Sequence, residues 1–415
     1  MTPSLFIALR FITSRKRALG LSMIGVVCGV AFFICTQAQT QGFEKYFIET
    51  ALGSRGAVEI SDRFQARYTQ FSGEDNAVVL GSGKKQRKYY DGVSDPYRII
   101  HVIKTFSSVL GAAPVLEGNM SITGNFRTEI IRLQGIDLRH HLEATNLGSG
   151  NVIIAGKLDD FKTHPNAIML GSLLAESLQV NVGDNVILTT KKETKTFTVA
   201  AIFRTGINAI DMHRGYVHLK MAQNLLNKPS MVSYIIVRLR DPERAPQISK
   251  HFERLLSHHS RSWQERESGN LQIFLALRIS AALTVSLIIL LAGFGIFNVL
   301  TLTVMDKVRE IAILRSMGYR RRDISAIFLW QGVIIATMGS VLGWVLGAGL
   351  TFAVSMIPLK VRGIFYADHF MVHWNLNHYI YAAIIAFVAV LIASYFPARR
   401  AAKLPPVEIL RGSGQ

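Results

Sequence analysis

Acidic residues and lysine are absent from four long apolar stretches, Leu19–Thr40, Ile273–Val304, Ile324–Ile357 and His378–Phe396, and Arg278 is their one arginine. As a helix rising about 1.5 Å per residue, the first stretch alone reaches roughly 33 Å, enough to cross a hydrocarbon core. The pattern predicts a membrane protein: four transmembrane α-helices with a large α+β periplasmic domain inserted between the first and second spans. Its segments read as a cytoplasmic N-terminus 1–18, a first span 19–41, the outer domain 42–270, a second span 271–304 and an inner segment 305–323. A third span 324–357, an outer loop 358–377, a fourth span 378–396 and an inner tail 397–415 follow.

Inside 42–270 the pattern alternates. Gly56–Ile60, Glu129–Leu133, Val152–Ala155 and Tyr234–Leu239 read as strands, and Val186–Thr190 with Phe197–Ile202 as a hairpin closed by the polar Lys191–Lys195. Asp95 before Pro96 reads as an N-cap, opening a helix with Ile99, Val102, Ile103 and Phe106 buried and an end near Gly111. Ile248, Phe252, Leu255 and Leu256 mark one face of a second helix. Two strand-then-helix units thus flank a β-rich middle, an α+β arrangement. Residues 61–92 read as a polar surface loop.

Charge gives the orientation. Arg10, Arg15, Lys16 and Arg17 precede the first span, Lys307, Arg309, Arg315, Arg320, Arg321 and Arg322 lie between the second and third, and Arg399, Arg400, Lys403 and Arg411 follow the fourth. Basic residues in short loops stay inside, so both termini and 305–323 are cytoplasmic in an inner (plasma) membrane and 42–270 is outside. Much of the net charge of +18 is therefore topology signal, and no basic patch interleaved with aromatics points to nucleic acid.

Catalytic and metal chemistry find no pattern. Gly81-Ser82-Gly83-Lys84-Lys85 resembles a P-loop, but Val78 replaces its first glycine and Lys85 the magnesium-binding Ser or Thr. His140, His141, His251, His258 and His259 show no metal-ligand spacing, His258 and His259 being neighbours on a helix that cannot face one ion. Cys28 and Cys35 sit in the first span, too far apart to bridge, and read as small apolar fillers. No Ser–His–Asp or Cys–His set appears, so the chain is expected to be no enzyme and to bind no cofactor or metal. The basic N-terminus with its apolar run also resembles a signal peptide, but the run is longer than an h-region and reads as a retained span.

Two features suggest machinery. Gly339, Gly343 and Gly347 recur every four residues in the third span, as do Gly25 and Gly29 in the first; bare glycine faces let helix backbones approach closely in lipid. Lacking carboxylate or lysine at mid-depth, the spans offer no proton or ion coupling site, so energy should come from a separate ATPase. Asp306–Met317 reads as a short amphipathic helix with Val308, Ile311 and Leu314 as a ridge, Glu310 and Arg315 beside it, Gly318 as its stop and Asp323 as N-cap of the third span. Such a ridge fits a groove on a soluble partner and fits a lipid surface equally.

Met305-Asp-Lys-Val-Arg-Glu-Ile-Ala-Ile-Leu-Arg-Ser-Met-Gly318 resembles the coupling segment of FtsX-like (type VII) ABC transporter permeases. Tyr395–Ala402 and Pro406–Arg411 resemble that family's terminal signature. Leu170–Ala175, Val182–Asp184, Phe203–Gly206, Asp211, Tyr216, Ala222–Leu226, Ser262–Glu265 and Phe274–Leu277 resemble the lipoprotein-releasing LolC/LolE transmembrane subunits. The resemblance implies a permease paired with a second permease subunit, a paralogue or itself, and with two ATPase copies that hold ATP and magnesium. ATP-driven closure would act through Val308, Glu310, Ile311, Leu314, Arg315 and Gly318 and, by mechanotransmission, extract lipoproteins or related lipid-anchored cargo from the outer leaflet, with a periplasmic carrier as a further partner. Phe43, Phe47, Phe274 and Leu277, placed by topology, would line the cargo cavity or simply pack. The family's chaperone-recruiting member carries a long protruding hairpin where Val186–Val199 is short, and Gln39-Thr40-Gln41-Gly42-Phe43 departs from its first-span ending. A macrolide or glycolipid exporter permease, or an FtsX-like signalling permease acting on a cell-wall hydrolase, are the alternatives.

Overall fold

The computed structural model describes residues 3–14, 16–62, 70–72, 78–80, 92–149, 152–190, 193–358 and 369–403. The P-loop-like Gly81–Lys85, most of 61–92, and the tail signature Pro406–Arg411 lie outside them. The chain divides into two compact units, one formed by Phe47–Leu271 and the other by the remaining described residues.

The helices, in chain order, are α1 (Pro3–Ser14), α2 (Lys16–Arg55), α3 (Pro96–Lys104), α4 (Leu138–Ala144), α5 (Leu158–Thr163), α6 (Ser172–Leu178) and α7 (Asn208–His213). They continue as α8 (Leu219–Leu225), α9 (Ala245–Leu256), α10 (Trp263–Arg266), α11 (Ser268–Asp306), α12 (Val308–Ser316), α13 (Arg321–Ser355) and α14 (Leu376–Lys403). The strands are β1 (Val58–Ser61), β2 (Gln70–Ser72), β3 (Val78–Leu80), β4 (Val93–Ser94), β5 (Val109–Thr123), β6 (Thr128–Ile136) and β7 (Ile153–Gly156). After them come β8 (Ala167–Gly171), β9 (Asn185–Thr189), β10 (Thr194–Phe203), β11 (Arg214–His218), β12 (Met231–Val232), β13 (Tyr234–Leu239) and β14 (His259–Ser262).

The unit Phe47–Leu271 is α+β, built on one ten-stranded mixed sheet ordered β14-β1-β13-β5-β6-β11-β8-β10-β7, with β9 joining β10 and β5. Most pairs are antiparallel, but β11 runs parallel to β6 and β10 parallel to β8. One large core holds Ile60, Leu116, Leu133, Leu170, Phe197 and Trp263; a second holds Phe161, Met169, Phe203 and Tyr216. The sheet is continuous where the sequence suggested separate units, because β5 and β10 are long enough to pair with several partners.

Several local expectations change. The helix opened by Pro96, α3, stops at Lys104, and Gly111 lies inside β5. Asp95 takes a left-handed conformation with no side-chain capping bond, and Ile100, not the exposed Val102, is buried with Ile103. Leu255 is exposed, with Ala245, Ser249 and Phe252 facing inward. His258 and His259 are not on that helix, which ends at Leu256; His259 starts β14. The β9–β10 hairpin is tied down on both sides, β9 pairing with β10 from Thr189↔Thr194 and with β5 from Ser121↔Thr189.

Two motif positions do structural work here. Asp211, 1% exposed, accepts hydrogen bonds from Thr205 N (2.8 Å), Thr205 Oγ1 (2.8 Å) and Gly206 N (3.1 Å), closing the turn after β10. Burial pushes its carboxyl up against these lowering bonds. Gly56 turns the chain from α2 into β1 at φ +65°, and a Cβ there would sit 2.7 Å from the Val237 carbonyl oxygen.

His141 is 1% exposed, its ring 5.5 Å from that of Tyr216, and neither ring nitrogen has a hydrogen-bond partner. Burial, and then the charge of Arg214, lower its pKa from 6.5 to about 3. The unfolded chain binds this proton below pH 6.5 while the native one refuses it until about pH 3, so stability falls through that window. From pH 7 to pH 5 the cost is about 2 kcal/mol. The thermal midpoint of Phe47–Leu271 within the full chain should drop accordingly, and His141→Leu should flatten that drop; an equally steep profile in the variant would remove His141 as its source.

Candidate functional site

The other unit holds most of the four helices long and apolar enough to cross a membrane, Met23–Arg55 within α2, α11, α13 and α14. Glycine sets how closely they meet. A Cβ on Gly339 would lie 2.9 Å from Val26 Cγ1, on Gly343 2.6 Å from Val30 Cγ1, and on Gly347 3.1 Å from Ala31 Cα, so the row seats α13 on α2. Gly25 and Gly29 face α11, where a Cβ would meet Ala292 at 2.9 Å and Ile289 at 2.7 Å. Helix α2 is thus the central one, notched toward α11 and presenting Val26, Val30 and Ile34 to α13.

Helix α11 is the least covered. Only 11% of its most apolar stretch is buried within the chain, against 50% for α2. Leu283, Leu287, Leu291 and Phe294 stand exposed along it. At its start, Arg278 pairs with Glu44, and Gln37 Nε2 reaches the Arg278 carbonyl at 3.4 Å. Nearby, His378 Nε2 and Gln41 Oε1 lie 2.8 Å apart, and His373 N donates to Ala38 O at 2.9 Å. Gly42 abuts the Met371 carbonyl, so the departing Gln41-Gly42 sequence anchors the segment before α14.

The four residues assigned to a cargo cavity do not share one surroundings. Phe43 stacks edge-on against Phe370 at 5.6 Å, Phe47 is 9% exposed, Phe274 is half-buried and Leu277 is 54% exposed. Among them Leu277 alone is open, on the uncovered face of α11.

Between α11 and α13 lies the segment that resembles a coupling helix. Asp306 belongs to α11, so the helix is Val308–Ser316, shorter than Asp306–Met317. It ends in a Schellman motif: Tyr319 N bonds Leu314 O (3.2 Å), Gly318 N bonds Arg315 O (3.2 Å), and Gly318 takes φ +99°. Asp323 is not the N-cap of α13 but its third residue, accepting from Arg320 N at 2.8 Å.

The ridge points inward. Ile311 and Ala312 are each 1% exposed, and Ile311 packs with Phe11 of α1, Ile324 and Phe328 of α13 and Ala401 of α14, with Leu314 and Tyr319 at the margin. Val308 is half-buried, Glu310 pairs with Lys307, and Arg315 Nη1 donates to Ala402 O at 3.3 Å. The chain's own helices therefore cover Ile311 and the margin of the ridge expected to meet a partner, while Glu310 and Gly318 stay exposed. What faces outward is Arg309, Glu310, Ile313 (44% exposed) and Met317 (73% exposed). Sequence periodicity gave no sign of α1, whose Ala8 and Phe11 supply part of that cover. Among the described residues no group of His, Cys, Asp or Glu comes together to hold a metal ion.

Comparison with known proteins agrees with this two-part build. The profile of the MacB-like periplasmic core domain matches residues 19–255, more than half of the chain, and that of the FtsX-like permease C-terminal region matches 282–406. The lipoprotein-releasing system transmembrane protein LolC of Xylella fastidiosa (strain Temecula1) is 26% identical over 436 aligned residues, covering 98% of each chain. LolC of Neisseria meningitidis serogroup B is 24% identical, again covering 98% of each. The macrolide export ATP-binding/permease protein MacB of Agrobacterium fabrum is 24% identical over 99% of this chain and 60% of its own.

Proposed function

Because the chain belongs to the FtsX-like permeases that carry a MacB-like periplasmic core domain, we propose that it is the transmembrane subunit of a lipoprotein-releasing ABC transporter. The carrying observation is the end-to-end similarity to LolC, 98% of both chains, where the MacB match leaves two-fifths of a longer ATP-binding polypeptide uncovered. In this reading α2, α11, α13 and α14 span the inner membrane with both termini inside and Phe47–Leu271 outside. Two copies of a separate ATPase close on ATP, and the outward face of α12, Ile313 and Met317 between Arg309 and Glu310, receives that motion. A second permease subunit covers the bare face of α11.

An engine is needed on energetic grounds. At about 0.8 kcal/mol per buried CH₂, one long acyl chain is held by roughly 12 kcal/mol, so extraction must hand it to another apolar surface. With its ATPase and second permease subunit in nanodiscs, the complex should hydrolyse ATP faster when given a triacylated lipopeptide. Stimulation by a macrolide instead would move the protein to the exporter class, which the MacB similarity supports. No stimulation by either, with a cell-wall hydrolase bound, would sink both.

Topology is tested separately. In a chain with Cys28→Ser and Cys35→Ser, Ser107→Cys should react with an impermeant maleimide in intact cells, and Ser316→Cys only after permeabilisation; both residues are exposed. The reverse pattern would invert the orientation.

A further inference from the structure

A cleft of about 1040 Å³ opens on the unit Phe47–Leu271, and none of the residues assigned to coupling or to a cargo cavity lines it. Four helices each bring one cation to its lining: Arg98 from α3, Arg139 from α4, Lys162 from α5 and Lys220 from α8. All four are exposed, and none makes an ion pair with another described side chain.

The carboxylates on the lining are Asp95 and Asp137, and Asp137 is already committed. Tyr97 Oη donates to its Oδ2 at 3.0 Å and His140 Nδ1 lies 3.0 Å from the same oxygen. Burial raises Asp137, but these bonds outweigh it and hold the carboxyl below the usual range. Burial, with the Asp137 charge, pushes the Tyr97 phenol up to about 12, so it stays a neutral donor. His218 is spent as well, stacked on Phe161 at 4.4 Å with Nε2 2.7 Å from the Phe161 carbonyl oxygen. Four cations against the two carboxylates leave the lining with a surplus of positive charge over an apolar floor that includes Ile136, Leu142, Leu219 and Met221.

We propose that this cleft binds an acidic polypeptide segment of a partner protein, with several carboxylates around an apolar side chain. Cations carried on four separate helices suit a chain with spaced charges. Arg98 and Arg139 offer planar forks for carboxylates, and the floor offers burial for the central side chain, with Met221 as an adaptable contact.

The test uses the full chain in phosphatidylcholine nanodiscs and a fluorescein-labelled decapeptide of glutamates with a central pair of leucines. Binding followed by anisotropy should weaken with added salt. Arg98→Glu combined with Lys220→Glu should raise Kd at least tenfold, and Arg139→Gln alone severalfold, in chains whose thermal midpoint is unchanged. Lys250→Glu, exposed on α9 and off the lining, should leave Kd within twofold. Absence of binding to the natural chain, or equal loss in Lys250→Glu, overturns the proposal. So does displacement of the peptide by short-chain phosphatidylglycerol at lower concentration than by unlabelled peptide, which would make the cleft a headgroup site.

Discussion

Gly343→Leu should reach the membrane in normal amount yet fail to hold α13 on α2. A Cβ alone would come within 2.6 Å of Val30 Cγ1 and 3.2 Å of the Val27 carbonyl oxygen, and leucine adds three more carbons in the same gap. Overpacking of this kind costs about 1–3 kcal/mol, and more where backbone must yield. In lipid the loss is not offset by a hydrophobic driving force, because separated helices are solvated by acyl chains. The thermal midpoint in detergent should fall by several degrees and any cargo-stimulated ATPase activity should disappear. Gly349, at which a Cβ would meet nothing within 4 Å, is the control. Equal behaviour of Gly343→Leu and Gly349→Leu in both assays would make the glycine row incidental.

The second large effect separates folding from coupling on one short helix. Ile311→Asp puts a carboxylate into a site 1% exposed, at a cost of several kcal/mol if it stays charged. That variant should accumulate poorly. Ile313→Asp and Met317→Asp, on the exposed face, should leave the chain abundant and thermally unchanged but reduce co-purified ATPase at least tenfold. Abundant Ile311→Asp would contradict the inward packing of the ridge. Full ATPase recovery with Ile313→Asp and Met317→Asp together would mean that this face lies on lipid or is idle.

These contrasts show what a sequence carries. Four apolar helices follow from composition alone, and a row such as Gly339–Gly343–Gly347 announces a packing face because glycine leaves a fixed-period notch. The neighbour in the notch is another matter: Val26 and Val30 lie more than three hundred residues earlier, and nothing local marks them. Likewise Val308, Ile311 and Leu314 announce a buried ridge, but period does not say whether a partner or the chain itself buries it. The missing information was α1 and the end of α14, whose Phe11 and Ala401 complete the cover. In the unit Phe47–Leu271, Tyr234–Leu239 reads as a strand with its observed bounds. The position of β11 between β6 and β8 is a long-range pairing that alternation cannot encode.

The central place of α2 bears on how the protein is made. Its notches at Gly25 and Gly29 are filled by α11, and its Val26–Val30 face is covered by α13, both synthesised long after it. At 5–20 residues per second, roughly 10–60 s pass before those partners leave the ribosome. Through that interval α2 must rest in lipid with its small-residue faces open to other helices. Ribosomes stalled before α11 should therefore yield chains that the membrane's quality-control proteases remove, whereas chains stalled after α13 should persist.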